Sequence, residues 1–197
     1  MTLSFQLVAA TSAVLIMDYQ VDIVGSKDDR LVLLENARAV LQEARSLGIP
    51  IIYVMVSFRE GYPEISDRNI MFSGLRAGGR LIAGTPGTQI HPTVKPHDQD
   101  VVVVKKRVNA FFNTELETIL KSKGVDTVIL MGIATSGVIL STVRWAADAD
   151  YSIIVIGDCC NDGDQEVHTL LTEKILPRQS DVVSTSQMLQ FLEELKH

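Results

Sequence analysis

The chain is short of cysteine, histidine and basic residues, and each shortage removes a class of function. Two cysteines occur among 197 residues, at the adjacent positions Cys159 and Cys160. Neighbouring cysteines cannot build a disulfide framework, so two free thiols are expected. Four histidines stand in no Cys/His ligand spacing, so no metal and no cofactor are expected. Lys and Arg number 18 against 24 Asp and Glu, a net charge of −6, whereas nucleic-acid binders usually carry a basic face. No nucleic-acid partner is expected. Mean hydropathy is +0.19, but the apolar residues come in short blocks, none near the roughly 20 needed to cross a membrane. The apolar run Leu7–Met17 has no Lys or Arg before it and ends directly in Asp18, so it fits a buried strand better than a targeting signal. A cytoplasmic protein with no membrane partner is the expectation.

What remains is an alternation of apolar blocks and helix-period segments. Ala13–Met17, Ile49–Val56, Val101–Val104, Val125–Met131, Ile153–Ile156 and Asp181–Val183 are predicted strands. Most are continuously apolar, as strands covered on both faces are. Between them, Leu33, Ala37, Val40, Leu41, Ala44 and Leu47 form one helical stripe ended by Gly48. Further helices are predicted over Phe112–Lys123, Thr135–Asp150, Glu166–Leu171 and Thr185–Leu195. This order predicts an α/β, doubly wound (Rossmann-like) sheet of about six mostly parallel strands, with helices on both faces, in one domain over 1–197. Ser57 to Gln99 is the exception. Its glycines and prolines break every period, and so long an irregular stretch suggests a pocket cover or a subunit contact. With the high apolar fraction, it points to a homo-oligomer.

Ligands of open parallel sheets bind beyond the carboxyl ends of the strands, which turns the strand list into a site list. The first strand ends in Asp18, with Gln20 close behind. The third ends in Lys105 and Lys106. The fourth runs into Gly132-Ile133-Ala134-Thr135, where a helix begins, and Asp158 follows the fifth. An acid, a cation and unpaired helix-start amides should therefore meet at one edge, an arrangement suited to a carboxylate or a developing oxyanion. Each feature also has a plain structural reading. Asp18 and Lys105 make a reasonable ion pair supporting the sheet edge, and Thr135 or Ser136 an ordinary N-cap.

The segments Leu15-Ile16-Met17-Asp18-Tyr19-Gln20, Lys105-Lys106-Arg107-Val108-Asn109-Ala110-Phe111 and Gly132-Ile133-Ala134-Thr135, in this order, resemble the isochorismatase-like hydrolases. The likeness spans almost the whole length. It implies a small-molecule substrate and an Asp–Lys–Cys triad in which a thiolate attacks a carbonyl held by helix-start amides. Asp18 matches the family's aspartate and Lys105 its lysine, and a cis peptide is implied at Ile133–Ala134. Ala134, Thr135 and Val138 would offer the oxyanion or ligand-binding turn, with Gln20 and Phe111 beside it.

The nucleophile does not carry over, because Gly-x-x-Thr-x-x-Cys places Val138 where the family has cysteine. Cys159 and Cys160 follow another strand and read best as buried small hydrophobes. Ser136 and Ser141 have no histidine in a recognisable place to activate them; His91 and His97 fall in the irregular stretch, His168 on a helix and His197 at the terminus. Some relatives bind a metal through Asp-x-His, but the corresponding Ser57-Phe58-Arg59-Glu60 has no histidine. Cysteine-free members cleave a vinyl ether with the aspartate as general acid, so acid-assisted hydrolysis is favoured over amide hydrolysis. A binding or regulatory protein that keeps the pocket without turnover is the alternative.

Overall fold

A computed structural model describes residues 2–25 and 29–196, so that His197 lies outside the described residues. One sheet organises it, with strands β1 (Ser12–Met17), β2 (Ile51–Val56), β3 (Val101–Lys105), β4 (Thr127–Ile133), β5 (Ser152–Asn161) and β6 (Asp181–Val183). All pairs are parallel and the order is β3-β2-β1-β4-β5-β6. The chain thus winds outward in one direction from β1 and in the other from β4. The switch between them opens a crevice at the carboxyl ends of those two strands.

The helices are α1 (Val21–Val24), α2 (Asp29–Ser46), α3 (Ile70–Ala77), α4 (Leu116–Ser122), α5 (Leu140–Asp148), α6 (Gln165–Leu170) and α7 (Thr185–Glu194). On one face of the sheet, Leu34, Ala37 and Leu41 of α2 and Met188 and Leu192 of α7 pack against Val14, Ile16 and Ile129. On the other, Leu116 and Leu120 of α4 and Val143 and Ala146 of α5 pack against Leu15, Val54 and Leu130. Coverage on both faces is why β1 and β4 are apolar throughout rather than alternating. Helix ends follow local chemistry. Ser184 and Gln187 form a capping box at α7, and Gly48, at φ 70°, stands just past α2. No helix among the described residues is long and apolar enough to cross a membrane.

The structure departs from the sequence expectation in three places. The helix expected over Phe112–Lys123 begins only at Leu116, because the Asn109 side chain takes the amides of Phe111 and Phe112 and Asn113 turns at φ 54°. β5 runs on to Asn161, which puts Asp158, Cys159 and Cys160 inside a strand rather than after one. The irregular stretch contains α3 and a small apolar cluster of Phe58, Tyr62, Ile65, Phe72 and Leu81 that packs on Val56 at the end of β2.

Candidate active site

Asp18 follows the last residue of β1 and adopts φ 59°, a left-handed conformation that aspartate tolerates better than most side chains. Its amide donates to the Val54 carbonyl at 2.7 Å, tying this turn to β2. Lys105 closes β3, two strands away, and crosses β2 to reach it: Nζ lies 2.8 Å from Asp18 Oδ2. Both side chains are nearly sealed, at 2% exposure for Lys105 and 7% for Asp18. Nζ also donates to the Arg107 carbonyl at 3.1 Å. The other carboxyl oxygen, Asp18 Oδ1, is buried with no hydrogen-bond partner. Burial pushes the Asp18 carboxyl above the ordinary carboxylate range, and the Lys105 ammonium only partly opposes it.

β4 supplies the facing wall. Its Gly132 is required by close approach: a Cβ there would stand 3.0 Å from the Met17 carbonyl and 3.1 Å from Val138 Cγ1. A cis peptide joins Ile133 to Ala134, and a π-helical turn, Thr135–Ile139, leads into α5. Three amides of this turn have internal acceptors. Ser136 donates to Asp162 Oδ2 at 2.7 Å, and Gly137 and Ile139 donate to the Ala134 carbonyl. Of the residues of this turn, Ala134, Gly137 and Val138 line the pocket.

The pocket, a cavity of about 170 Å³, is lined by Asp18, Lys105, Ile133, Ala134, Gly137 and Val138. Its outer wall comes from the irregular stretch, through Met71, Phe72, Leu75, Arg80 and Leu81. A larger groove of about 730 Å³, lined by Arg38, Arg45, Lys95 and His97 among others, lies by the amino ends of the strands. Its one lining carboxyl, Asp98, is exposed, and the groove faces away from the switch point, so the smaller pocket is the better place for chemistry.

Of the residues expected here, Asp18, Lys105, Ala134 and Val138 meet around one cavity. Three others stand behind its walls. Gln20 is fully buried; its amide nitrogen donates to the carbonyls of Val56 and Thr88 and its oxygen accepts from the Val56 amide, so no polar atom is left for a ligand. Phe111 stacks on Trp145 at 3.9 Å between ring centroids. Thr135, also fully buried, places Oγ1 2.8 Å from His168 Nδ1. That contact joins residues 33 positions apart and depends on where α6 docks, so no sequence spacing announces it. Arg80 was equally hidden in a stretch without period.

The two thiols lie elsewhere. Cys159 Sγ contacts Thr185 Oγ1 and Cys160 Sγ points to the Ile156 carbonyl; burial raises both pKa values, that of Cys160 to about 12. Phe58 packs in the small cluster, Arg59 pairs with Glu64, and the Ser57 carbonyl and the Phe58 ring face the Lys106 ammonium. Among the described residues no three His, Cys, Asp or Glu side chains gather as a metal site.

The sequence profile of the isochorismatase domain matches residues 12–187. The chain belongs to the isochorismatase family. Within it, the chain is 28% identical over 162 residues to maleamate amidohydrolase of Pseudomonas putida, covering 82% of this chain and 75% of that one. It is 29% identical over 196 residues to a probable inactive nicotinamidase of Arabidopsis thaliana, covering 93% and 96%. A cysteine hydrolase from Pseudomonas syringae pv. phaseolicola shares the isochorismatase fold at TM-score 0.89 and 20% identity, over 98% of this chain and 97% of that one.

Proposed function

We propose that the chain is a hydrolase of a small metabolite that works by acid assistance, with Asp18 as general acid, Lys105 as its charge-stabilising partner and no cysteine nucleophile. One observation carries this reading: the two oxygens of Asp18 have different surroundings. Oδ2 rests on Lys105, whereas Oδ1 is buried without a partner in a pocket whose wall at position 138 is a valine. A carboxyl raised by burial can hold a proton on Oδ1. On a vinyl ether, that proton goes to the terminal alkene carbon and the C=C electron pair forms the new C–H bond. The ether oxygen stabilises the resulting cation, and Lys105 the carboxylate left on Asp18. Water then adds to the cationic carbon and returns a proton to Asp18. The hemiketal splits into an alcohol and a carbonyl compound.

The test is a screen of vinyl ethers, amides and carbamoyl compounds with the wild type, Asp18→Asn and Lys105→Ala. Vinyl-ether turnover that both variants lose while remaining folded supports the reading. A second reading, a binding or regulatory protein without turnover, is favoured by Val138 in the pocket wall and by the likeness to a relative named as probably inactive. Saturable binding of a small acid with no turnover of any compound would establish that one instead. Amide hydrolysis, the activity in the name of the Pseudomonas putida relative, would need a nucleophile. Complete inactivation by a thiol-blocking reagent would restore Cys159 or Cys160 to that role. The same reading places the protein in the cytoplasm as a homo-oligomer. The exposed Val102 and Val104 on edge strand β3 and the exposed Phe112 support self-association, which sedimentation would test.

A further inference from the structure

Three charged side chains line the pocket: Asp18, Lys105 and Arg80. With Asp18 ionised, the first two neutralise each other at 2.8 Å. Arg80 has no ion-pair partner among the described residues; its recorded side-chain bond runs from Nη2 to the Asp22 carbonyl, at 2.6 Å. A guanidinium carries five N–H donors in a planar fork, so most of its capacity to bind a carboxylate is free.

The position of Arg80 is built. Gly79, at φ 63°, turns the chain out of α3, and the Tyr62 hydroxyl donates to the Arg80 carbonyl at 2.8 Å. The next residue, Leu81, is buried, and its carbonyl accepts from the Phe58 amide at 2.9 Å. Both contacts fix the main chain at Arg80 against the small cluster of the irregular stretch, while its exposed side chain is held at Nη2 by the Asp22 carbonyl. Between Arg80 and Asp18 the lining is apolar, from Val56, Phe72, Leu75, Val108 and Val138. At about 170 Å³ the cavity lies below the roughly 300–1,000 Å³ of drug-sized sites.

Resting on the pocket assignment above but not on turnover, we infer that Arg80 is a specificity-determining residue that selects small ligands with one carboxylate on an apolar body. One unpaired cation admits one carboxylate. The short apolar channel admits a body of a few carbons and directs its far end towards Asp18 Oδ1.

Calorimetric titration of crotonate and crotonamide, which match in shape and differ in charge, tests this. The wild type should bind crotonate roughly ten-fold more tightly than crotonamide, the scale of a charge-assisted fork. Arg80→Gln should abolish that preference while leaving crotonamide affinity unchanged, and Arg80→Lys should keep part of it. Asp18→Asn, which removes the pocket's negative charge, should tighten crotonate binding. Equal affinities in the wild type, no binding of either compound, or a preference that survives Arg80→Gln would overturn the inference. The preference retained in a protein that turns over nothing condemns the enzyme reading alone. Vinyl-ether turnover without the preference condemns the role of Arg80 alone.

Discussion

Two carboxylate–cation pairs, one sealed and one partly buried, stand at opposite ends of β3, and they behave differently. At the amino end, Asp100 Oδ2 accepts from Arg45 Nη2 at 2.5 Å and from the His97 amide at 2.8 Å, while Arg45 also donates to the Tyr53 hydroxyl. At the carboxyl end, Lys105 holds one oxygen of Asp18 and the other has no partner. The amino-end pair has an unmatched atom too, but it is Arg45 Nε. A guanidinium stays charged across the accessible pH range, so an idle donor there has no chemistry to perform. An idle carboxyl oxygen can carry a proton. On the proposed reading, burial and pairing alone do not mark a reactive site; what marks it is which atom of the pair lacks a partner and whether that group titrates.

The largest effect that would sharpen this contrast is on turnover. Asp18→Asn should lower kcat by about 10³-fold or more, as loss of a general acid does, whereas Asp100→Asn should leave steady-state rates unchanged. Comparable losses in both would erase the distinction. Next comes stability. Asp18→Asn leaves Lys105 charged and sealed, a change that typically costs about 3–5 kcal/mol, and adding Lys105→Met should recover most of it. Urea titration reads both, and no recovery in the double variant would mean the pair is not the source of the loss. For Asp100→Asn a smaller loss is expected, about 1–3 kcal/mol from unmatched hydrogen bonds, because Arg45 keeps partial contact with solvent.

The pH profile separates the pairs by sign. Burial raises the Asp18 carboxyl against the pull of Lys105. In the proposed mechanism the active form is the protonated one, so kcat/KM should be highest in acid and fall as pH rises through that raised value. Lys105→Met removes the opposing charge and should shift the falling limb to higher pH, at a lower rate. A limb that stays in place would separate Asp18 from the proton transfer. The smallest change is a control far from both pairs: Ser184→Ala breaks the α7 capping box and should cost about 1 kcal/mol in thermal or urea melts with turnover intact.

The sheet was readable from sequence because its signal is coarse. Continuous apolar blocks such as Val14–Met17 leave no other place for such a strand than between two layers, and the strand ends then located Asp18, Lys105 and the Gly132–Val138 turn. What escaped depended on contacts between distant segments. Gln20 carries the polar group a ligand would want, yet three main-chain partners at Val56 and Thr88 claim it. Phe111 is taken up by Trp145 in the same way. α3 was invisible because Gly74 interrupts it and Gly78 and Gly79 end it, so no periodic stripe survives in the window. Only its hydrophobic side, through Phe72, says that it is a wall.

Because residues 57–82 rest through Phe58, Tyr62, Phe72 and Leu81 on Val56 at the end of β2, the cover of the pocket is seated on the strand that also holds the Asp18 turn through the Val54 carbonyl.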